Sequence, residues 1–540
     1  MTDVTQEGTG GDILAQALIS QGVTQIFGIP GVQLDGAADA LYKRADELAF
    51  TCARNEQATT YMADGYARST GREGVAMVVP GPGMLNATAG LATAYAANSP
   101  VLLISGQINS AMIGKGYGAL HEIPDQSGIL ARLTKWSGLA KTPEEVPGLV
   151  EEAFRQLRSG RPRPVAIEVP MDVLHARASV TIADRVGHAP TQPDQAAVDR
   201  AAQLLSSARK PLIYVGGGIR AAGASAALVE LAEVLEAPVI VSENGRGAID
   251  ARHRLAFDGL ALRRFREDAD VVLAVGTRLA LAGGQPVDIG RGTVIMLNAE
   301  EADLHGPHAV DVGIHGDARL GLEALAAGLG AAKPESRQAE LDGVRAWCDE
   351  QFTSIRPQLE YLAAIRSALP DDGIFVSELT QVGYVANIRF PTYHSRGFIG
   401  ASYQGTLGFG FTTGLGAKTA NPDRAVVSVS GDGGFSWTLQ ELSTAKRFGI
   451  GLAAVVFNDG HFGNVRRIQR DSYGGRFFAT DLTNPDYQKL ADAFGVASVK
   501  AESPGELHGA LTDAFNGHEP VLIEVPVGDF PSPWPLIHER

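Results

Sequence analysis

Short apolar runs alternating with helix-periodic stretches constrain this chain more than any other feature. From Gly11 to about Leu174 the runs TQIFGI, LAFTCA, GVAMVV, PVLLISG and PVAIEVP read as strands, and intervening segments such as NEQATTYMADGYARSTG read as helices. Runs that stay apolar at successive positions need cover on both faces, which predicts parallel sheets flanked by helices. The pattern resumes at KPLIYVGGGI and continues through PVIVSENG, DVVLAVGTR and GTVIMLN. It returns once more after about Pro357, in GIFVSE, RAVVSVS, GLAAVVFN and PVLIEVP. The expected fold class is α/β, with three doubly wound parallel-sheet domains over 10–175, 190–335 and 356–540. The stretch from Ala176 to about Gln195 reads as a linker, and GAAKPESRQAELDGVRAW as a second, part-helical one.

Charge and cysteine content exclude several classes of partner. The formal charge is −15, with basic residues scattered, so the chain repels nucleic acid and anionic membranes. Only Cys52 and Cys348 occur, without ligand spacing, which argues against a disulfide framework or a zinc site and points to the reducing cytoplasm. The start MTDVTQEGTG has no basic-then-apolar signal pattern, and no run approaches the roughly 18 apolar residues of a membrane span.

The most informative segment runs from Arg424 to Gly463, RAVVSVSGDGGFSWTLQELSTAKRFGIGLAAVVFNDGHFG, and reads strand, glycine turn, helix, strand. Trp437, Leu439, Leu442, Ala445 and Phe448 recur at helical spacing and Gly449 stops the helix. Asp432 and Asp459 then stand at the carboxyl ends of neighbouring strands, where open parallel sheets bind ligands. Gly433 and Gly434 let backbone N–H groups approach an anion at a helix N-terminus. Two carboxylates facing a diphosphate suit Mg2+, which prefers octahedral oxygen ligands. A bare glycine-aspartate-glycine is also simply a tight turn with a capping Asp.

The spacing from that turn to Asn458-Asp459 resembles the cofactor signature of the thiamine diphosphate enzymes, with Asp459 in place of the second asparagine. Further segments carry the same likeness in the same order: FGIPG at 27–31, RNEQA at 54–58, PGPGMLN at 80–86 and QGTLGFG at 404–410. The chain thus resembles the acetohydroxyacid synthase, pyruvate oxidase and benzaldehyde lyase group over nearly its whole length. The resemblance implies pyrimidine-binding, middle and diphosphate-binding domains in that order. It implies Mg2+ held by Asp432, Asp459 and the backbone carbonyl of His461, with Phe462 and Gly463 beside it. Thr380 and Gln381 fall where the diphosphate is contacted, and Gly405 and Leu407 where an apolar wedge bends the coenzyme. Glu56 would hydrogen-bond the aminopyrimidine nitrogen and so make the exocyclic nitrogen a base for the C2 proton, with Pro30 and Asn86 lining that side. In the group this glutamate serves a coenzyme held by another subunit, so a homodimer is the minimum and a homotetramer is common.

The substrate side departs from true synthases. Leu120-His121 replaces a phenylalanine-glutamine pair, Ile468 a tryptophan and Asn464 a methionine, whereas Lys135 agrees. Gln33 stands where benzaldehyde lyase-like members carry a histidine, either as a partner for a substrate carbonyl or as a loop glutamine. His121 is the candidate titratable pocket residue on the catalytic side, because an unperturbed imidazole changes charge near neutral pH. Arg466 and Arg467 either attract an anionic substrate or line a solvated helix face. The loop Gly216-Gly-Gly-Ile-Arg-Ala221 fits a loose dinucleotide fingerprint, but Thr277-Arg-Leu-Ala-Leu281 replaces the flavin-binding pattern, so no functional FAD is expected. The activity implied is decarboxylation and carboligation of a 2-oxo acid with an aldehyde or ketone acceptor. The alternative is cleavage of acyloins or diketones. A cofactor-binding protein without turnover is disfavoured, because both Glu56 and the aspartate pair are present.

Overall fold

The computed structural model describes residues 4–187, 189–281, 284–330 and 335–537. Position 188 of the first linker, positions 282–283 and 331–334 around the middle block, and positions 538–540 lie outside them. Three six-stranded sheets follow one another along the chain, and every strand pair within them is parallel. In the first, the order across the sheet is Ala49–Cys52, Gln25–Gly28, Gly74–Val78, Val101–Gln107, Val165–Pro170, Trp136–Leu139. In the second it is Ala256–Phe257, Val239–Val241, Pro211–Val215, Val271–Val275, Thr293–Asn298, Val312–His315. The third runs Phe398–Gly400, Ile374–Ser377, Val426–Gly431, Ala453–Asn458, Val521–Pro526, Ala497–Lys500.

Two sequence readings need correction. The stretch after Ala176 is not all linker, because Arg177–Ile182 is a strand that pairs antiparallel with Val4–Thr9. Alternate burial explains it, since Val180 and Ile182 are buried between exposed neighbours. The helix expected through Trp437 and Phe448 is broken into Asp432–Phe435, the 3-10 turn Leu439–Glu441 and Leu442–Arg447. Leu442 and Ala445 are buried, but Trp437 and Phe448 face outward, so the apolar spacing there was only partly a core stripe.

One helix joins the first and third sheets. Glu56–Thr70 is capped by the Asn55 side chain, which accepts the Gln57 N–H, and closed by Gly71 in the left-handed conformation, φ 79°. It is buried continuously from Ala58 to Ser69. Its partner is the helix Phe409–Ala420 of the third block, and Tyr61, Met62, Phe409, Phe411 and Leu415 share one core. The two backbones touch: a Cβ on Gly65 would lie 2.0 Å from the Thr413 carbonyl oxygen, and one on Gly416 would lie 1.9 Å from that of Met62. Only glycine fits at both points of this crossing.

Candidate active site

At the carboxyl edge of the third sheet, Gly431 pairs with Phe457, so Asp432 and Asp459 emerge from adjacent strands as expected. Asp432 is buried; its Oδ1 accepts the Gly433 N–H at 3.0 Å. Its Oδ2 accepts the Gly460 N–H at 2.9 Å and the Asn484 amide at 2.6 Å. Asp459 accepts the His461 N–H at 3.0 Å and the Gln381 amide at 2.8 Å. Burial pushes both carboxyls above the usual carboxylate range, and for Asp459 the charge of Asp432 adds to that rise. The hydrogen bonds they accept come from neutral amide donors, so two acidic groups crowd together without the charge that would steady them. A hard dication fits that deficit. Among the described residues no group of three or more His, Cys, Asp or Glu side chains is placed to hold a metal ion.

The loop after Asp459 is tied down by short bonds. The His461 ring donates from Nδ1 to the Asp459 carbonyl at 2.5 Å, and its Nε2 lies 3.3 Å from Asp481. Its side chain is therefore engaged away from the carboxylates. Phe462 packs over Gly433, where a Cβ would sit 2.8 Å from the ring, and Gly463 opens the helix Gly463–Ser472 beside the Asp459 carboxylate. Gln381 bridges Asp459 to the C-terminal segment, donating to the Gly528 carbonyl at 3.1 Å and accepting the Phe530 N–H at 2.8 Å. Thr380 accepts the Gly383 N–H at 2.8 Å, turning the chain at the end of the neighbouring strand.

Glu378 was missed by sequence reading. It is buried, and its two oxygens accept the Gly408 and Gly410 N–H groups, each at 3.2 Å, on either side of the helix start that follows Gly405 and Leu407. A Cβ on Gly434 would fall 1.9 Å from Glu378 Oε1, so this carboxylate touches both the Leu407 segment and the Asp432 turn. Burial raises it to about 7. Asn484 was missed too: it donates to Asp432 and, at 2.9 Å, to Asn458, joining the two strand ends. The only signal for it was the Asn-Pro turn in DLTNPDY.

On the first sheet, Glu56 begins the long helix at a strand's carboxyl end, and its Oε2 accepts the Asn86 amide at 3.0 Å. Oε1 lies 3.5 Å from where a Cβ on Gly83 would be. Pro30 is exposed on the same edge. Gln33 is buried; its amide donates to the Leu120 carbonyl at 3.1 Å, while Oε1 has no partner. His121 adopts φ 69°, and its buried Nδ1 is likewise unpartnered. The structure thus brings Gln33 and the Leu120–His121 turn together. It does not give Glu56 and Asp432 a common hydrogen-bond partner. Arg466 is bound to Asp481 at 2.6 Å and lies over the Phe477 ring, and Arg467 is bound to Asp471 at 3.2 Å and lies over the Trp534 ring, so both are engaged within the protein. Lys135 donates to the Gln156 and Ser159 carbonyls at 2.8 and 2.6 Å, closing the end of a helix.

Parallel sheets with acidic side chains at the carboxyl ends of their strands have the form of an α/β enzyme that binds its ligand at the strand ends. Residues 8–129 match the thiamine pyrophosphate enzyme N-terminal TPP binding domain, 198–325 the central domain and 380–525 the C-terminal TPP binding domain. The acetolactate synthase isozyme 3 large subunit of Escherichia coli K12 is 32% identical over 98% of this chain and 96% of its own. The probable 2-ketoarginine decarboxylase AruI of Pseudomonas aeruginosa is 34% identical over 96% of this chain and 94% of its own. The probable acetolactate synthase large subunit of Methanocaldococcus jannaschii is 32% identical over 96% and 91%. The chain belongs to the thiamine pyrophosphate enzymes, in the acetolactate synthase-like group, and is a thiamine diphosphate-dependent enzyme of the decarboxylase and carboligase kind.

Proposed function

We propose that the protein decarboxylates a 2-oxo acid and joins the remaining acyl unit to an aldehyde or ketone acceptor, using thiamine diphosphate anchored by Mg2+. The observation that carries this reading is the pair of carboxylates, buried Asp432 and half-buried Asp459, held by neutral donors at adjacent strand ends. Asp432, Asp459 and the His461 carbonyl would hold the metal; Thr380, Gln381, Gly433, Gly434, Phe462 and Gly463 would surround the diphosphate. Leu407, on the segment braced by Glu378, would support the bend between the rings. The coenzyme supplies an electron sink for the acyl carbanion. Glu56, oriented by Asn86, would hold the aminopyrimidine in the tautomer that removes the C2 proton, with Pro30 beside it.

Glu56 and the Asp432 turn belong to different sheets, and in this reading each site combines Glu56 of one subunit with the aspartates of another, in a homodimer or tetramer. The units are 10–175, 190–335 and 356–540, acting in the cytoplasm. Among the described residues no helix is long and apolar enough to cross a membrane. A cavity of about 1490 Å³ lies against the middle sheet, lined by Gly217, Arg220, Asn244, Thr277 and Tyr403 among others. It is not assigned to FAD, because the Thr277–Leu281 segment lacks the flavin pattern; absorbance near 450 nm in the purified protein would overturn this.

Cleavage of acyloins is the second reading, favoured by the unpartnered polar atoms of Gln33 and His121, which suit a substrate hydroxyl or carbonyl. Mass spectrometry of products separates the two. Acetolactate or a mixed acyloin from pyruvate and an aldehyde supports ligation, whereas inertness towards a panel of 2-oxo acids with turnover of acyloins supports cleavage. Absence of thiamine diphosphate binding with Mg2+ present, in a calorimeter, sinks both.

A further inference from the structure

The turn that carries Glu56 is fastened from the diphosphate block of its own chain. Glu441, at the end of the 3-10 turn that follows Asp432–Phe435, has no exposed surface. Its Oε1 and Oε2 both accept the Arg54 N–H, at 3.0 and 3.1 Å, and the Asn55 N–H also faces it. The Thr444 hydroxyl donates to Oε2 at 2.6 Å and fixes the carboxylate from behind. Arg54 and Asn55 are the two residues before Glu56, and Asn55 caps its helix. On the other side, the Gln57 amide donates to the Leu407 carbonyl at 3.4 Å. Arg54, two residues before Glu56, thus rests on Glu441, and Gln57, the residue after it, on the Leu407 segment, both of the same chain.

A buried carboxylate is costly unless its lone pairs are satisfied, and a neutral acceptor would cap these amides more cheaply. Its use here makes sense where backbone placement has to be stiff. We propose that Glu441 is a positioning residue for Glu56: by accepting the Arg54 N–H with both oxygens it fixes the turn that presents Glu56 to the aminopyrimidine. This rests on the assignment of Glu56 made above. The titratable and charged groups facing Glu441 are the Arg54 guanidinium and the Cys52 thiol, with Arg447 near that thiol. Burial raises the Glu441 carboxyl to about 7, so the grip weakens as pH falls through that value.

Glu441→Gln keeps the shape but turns one acceptor into a donor aimed at the amides. The test measures C2 proton exchange of bound thiamine diphosphate by NMR, coenzyme affinity by calorimetry, and amide hydrogen exchange of residues 50–57 in coenzyme-free protein by mass spectrometry. Expected is C2 exchange slowed by about 100-fold with unchanged coenzyme affinity, since misplacement of roughly 1 Å is worth that much. Amide exchange at Arg54 and Asn55 should be faster than in the wild type. Thr444→Val, which only loosens the carboxylate, should move both rates less and in the same direction, and serves if the glutamine variant does not fold. Wild-type C2 exchange in either folded variant, or slowing that merely tracks lost coenzyme affinity, overturns the proposal. Unchanged amide protection at Arg54 overturns it independently of the coenzyme, while a wild-type protein that binds no coenzyme defeats the assignment of Glu56 instead.

Discussion

Glu56 and Asp459 bear the sharpest consequences of single side chains. Glu56→Gln keeps the hydrogen bond from Asn86 but removes the charge that, in the proposed role, would favour the imino tautomer. The expected result is C2 proton exchange and kcat lower by about 10²–10⁴-fold with coenzyme affinity largely retained, measured by NMR and steady-state kinetics. Asp459→Asn restores the neutral residue of the family pattern. Burial and the Asp432 charge raise the Asp459 carboxyl, so in the metal-free protein its ionised form opposes folding. Metal-free stability should therefore fall as pH rises from the unfolded carboxylate range, about 4, through the raised value. The asparagine variant should show a higher melting temperature at neutral pH and a flatter pH dependence. In the wild type, Mg2+ affinity should weaken as pH drops through the same range, which calorimetry at two pH values will reveal. Both aspartates were legible because strand, glycine turn and spacing declare themselves in sequence. Glu378, Glu441 and Asn484 were not, because their importance lies in amides and carboxylates that distant segments bring to them.

Strands were readable mainly where they are long and lie inside a sheet. Interior strands such as Val101–Gln107 and Ala453–Asn458 are covered on both faces and spell themselves as unbroken apolar runs. The strands that escaped notice within the three sheets were Trp136–Leu139, Ala256–Phe257, Val312–His315, Phe398–Gly400 and Ala497–Lys500, and each lies at a sheet edge. Each spans only two to four residues, too few to display a period, so pairing rather than periodicity defines them. The helix Glu56–Thr70 was legible from its helical pattern between two strand runs, yet its close crossing with Phe409–Ala420 was invisible until the two backbones met. Gly65→Ala and Gly416→Ala each drive a methyl group into a carbonyl oxygen. Each should cost at least about 1–3 kcal/mol, read as a lower denaturation midpoint in urea.

At the level of the molecule, three similar sheets were foreseeable from the recurring alternation, whereas the way they share cores was not. Tyr61 and Met62 of the first block are packed with Phe409 and Leu415 of the last, although some three hundred and fifty positions separate them in the chain. The middle block likewise packs through Arg220 and Arg246, whose guanidinium groups reach the Phe398 and Phe390 carbonyls and are lowered by burial to about 9 and about 10. Contacts of this range follow from topology, which no local pattern encodes.

The helix buried between two blocks also bears on how the polypeptide matures. The first block leaves the ribosome long before residues 409–420 exist, so Tyr61 and Met62 wait without their Phe409 and Leu415 cover until that helix is made. A fragment ending near residue 190 should consequently be sticky and protease-sensitive, and should regain solubility when the remainder is co-expressed as a separate chain, an outcome that limited proteolysis can score.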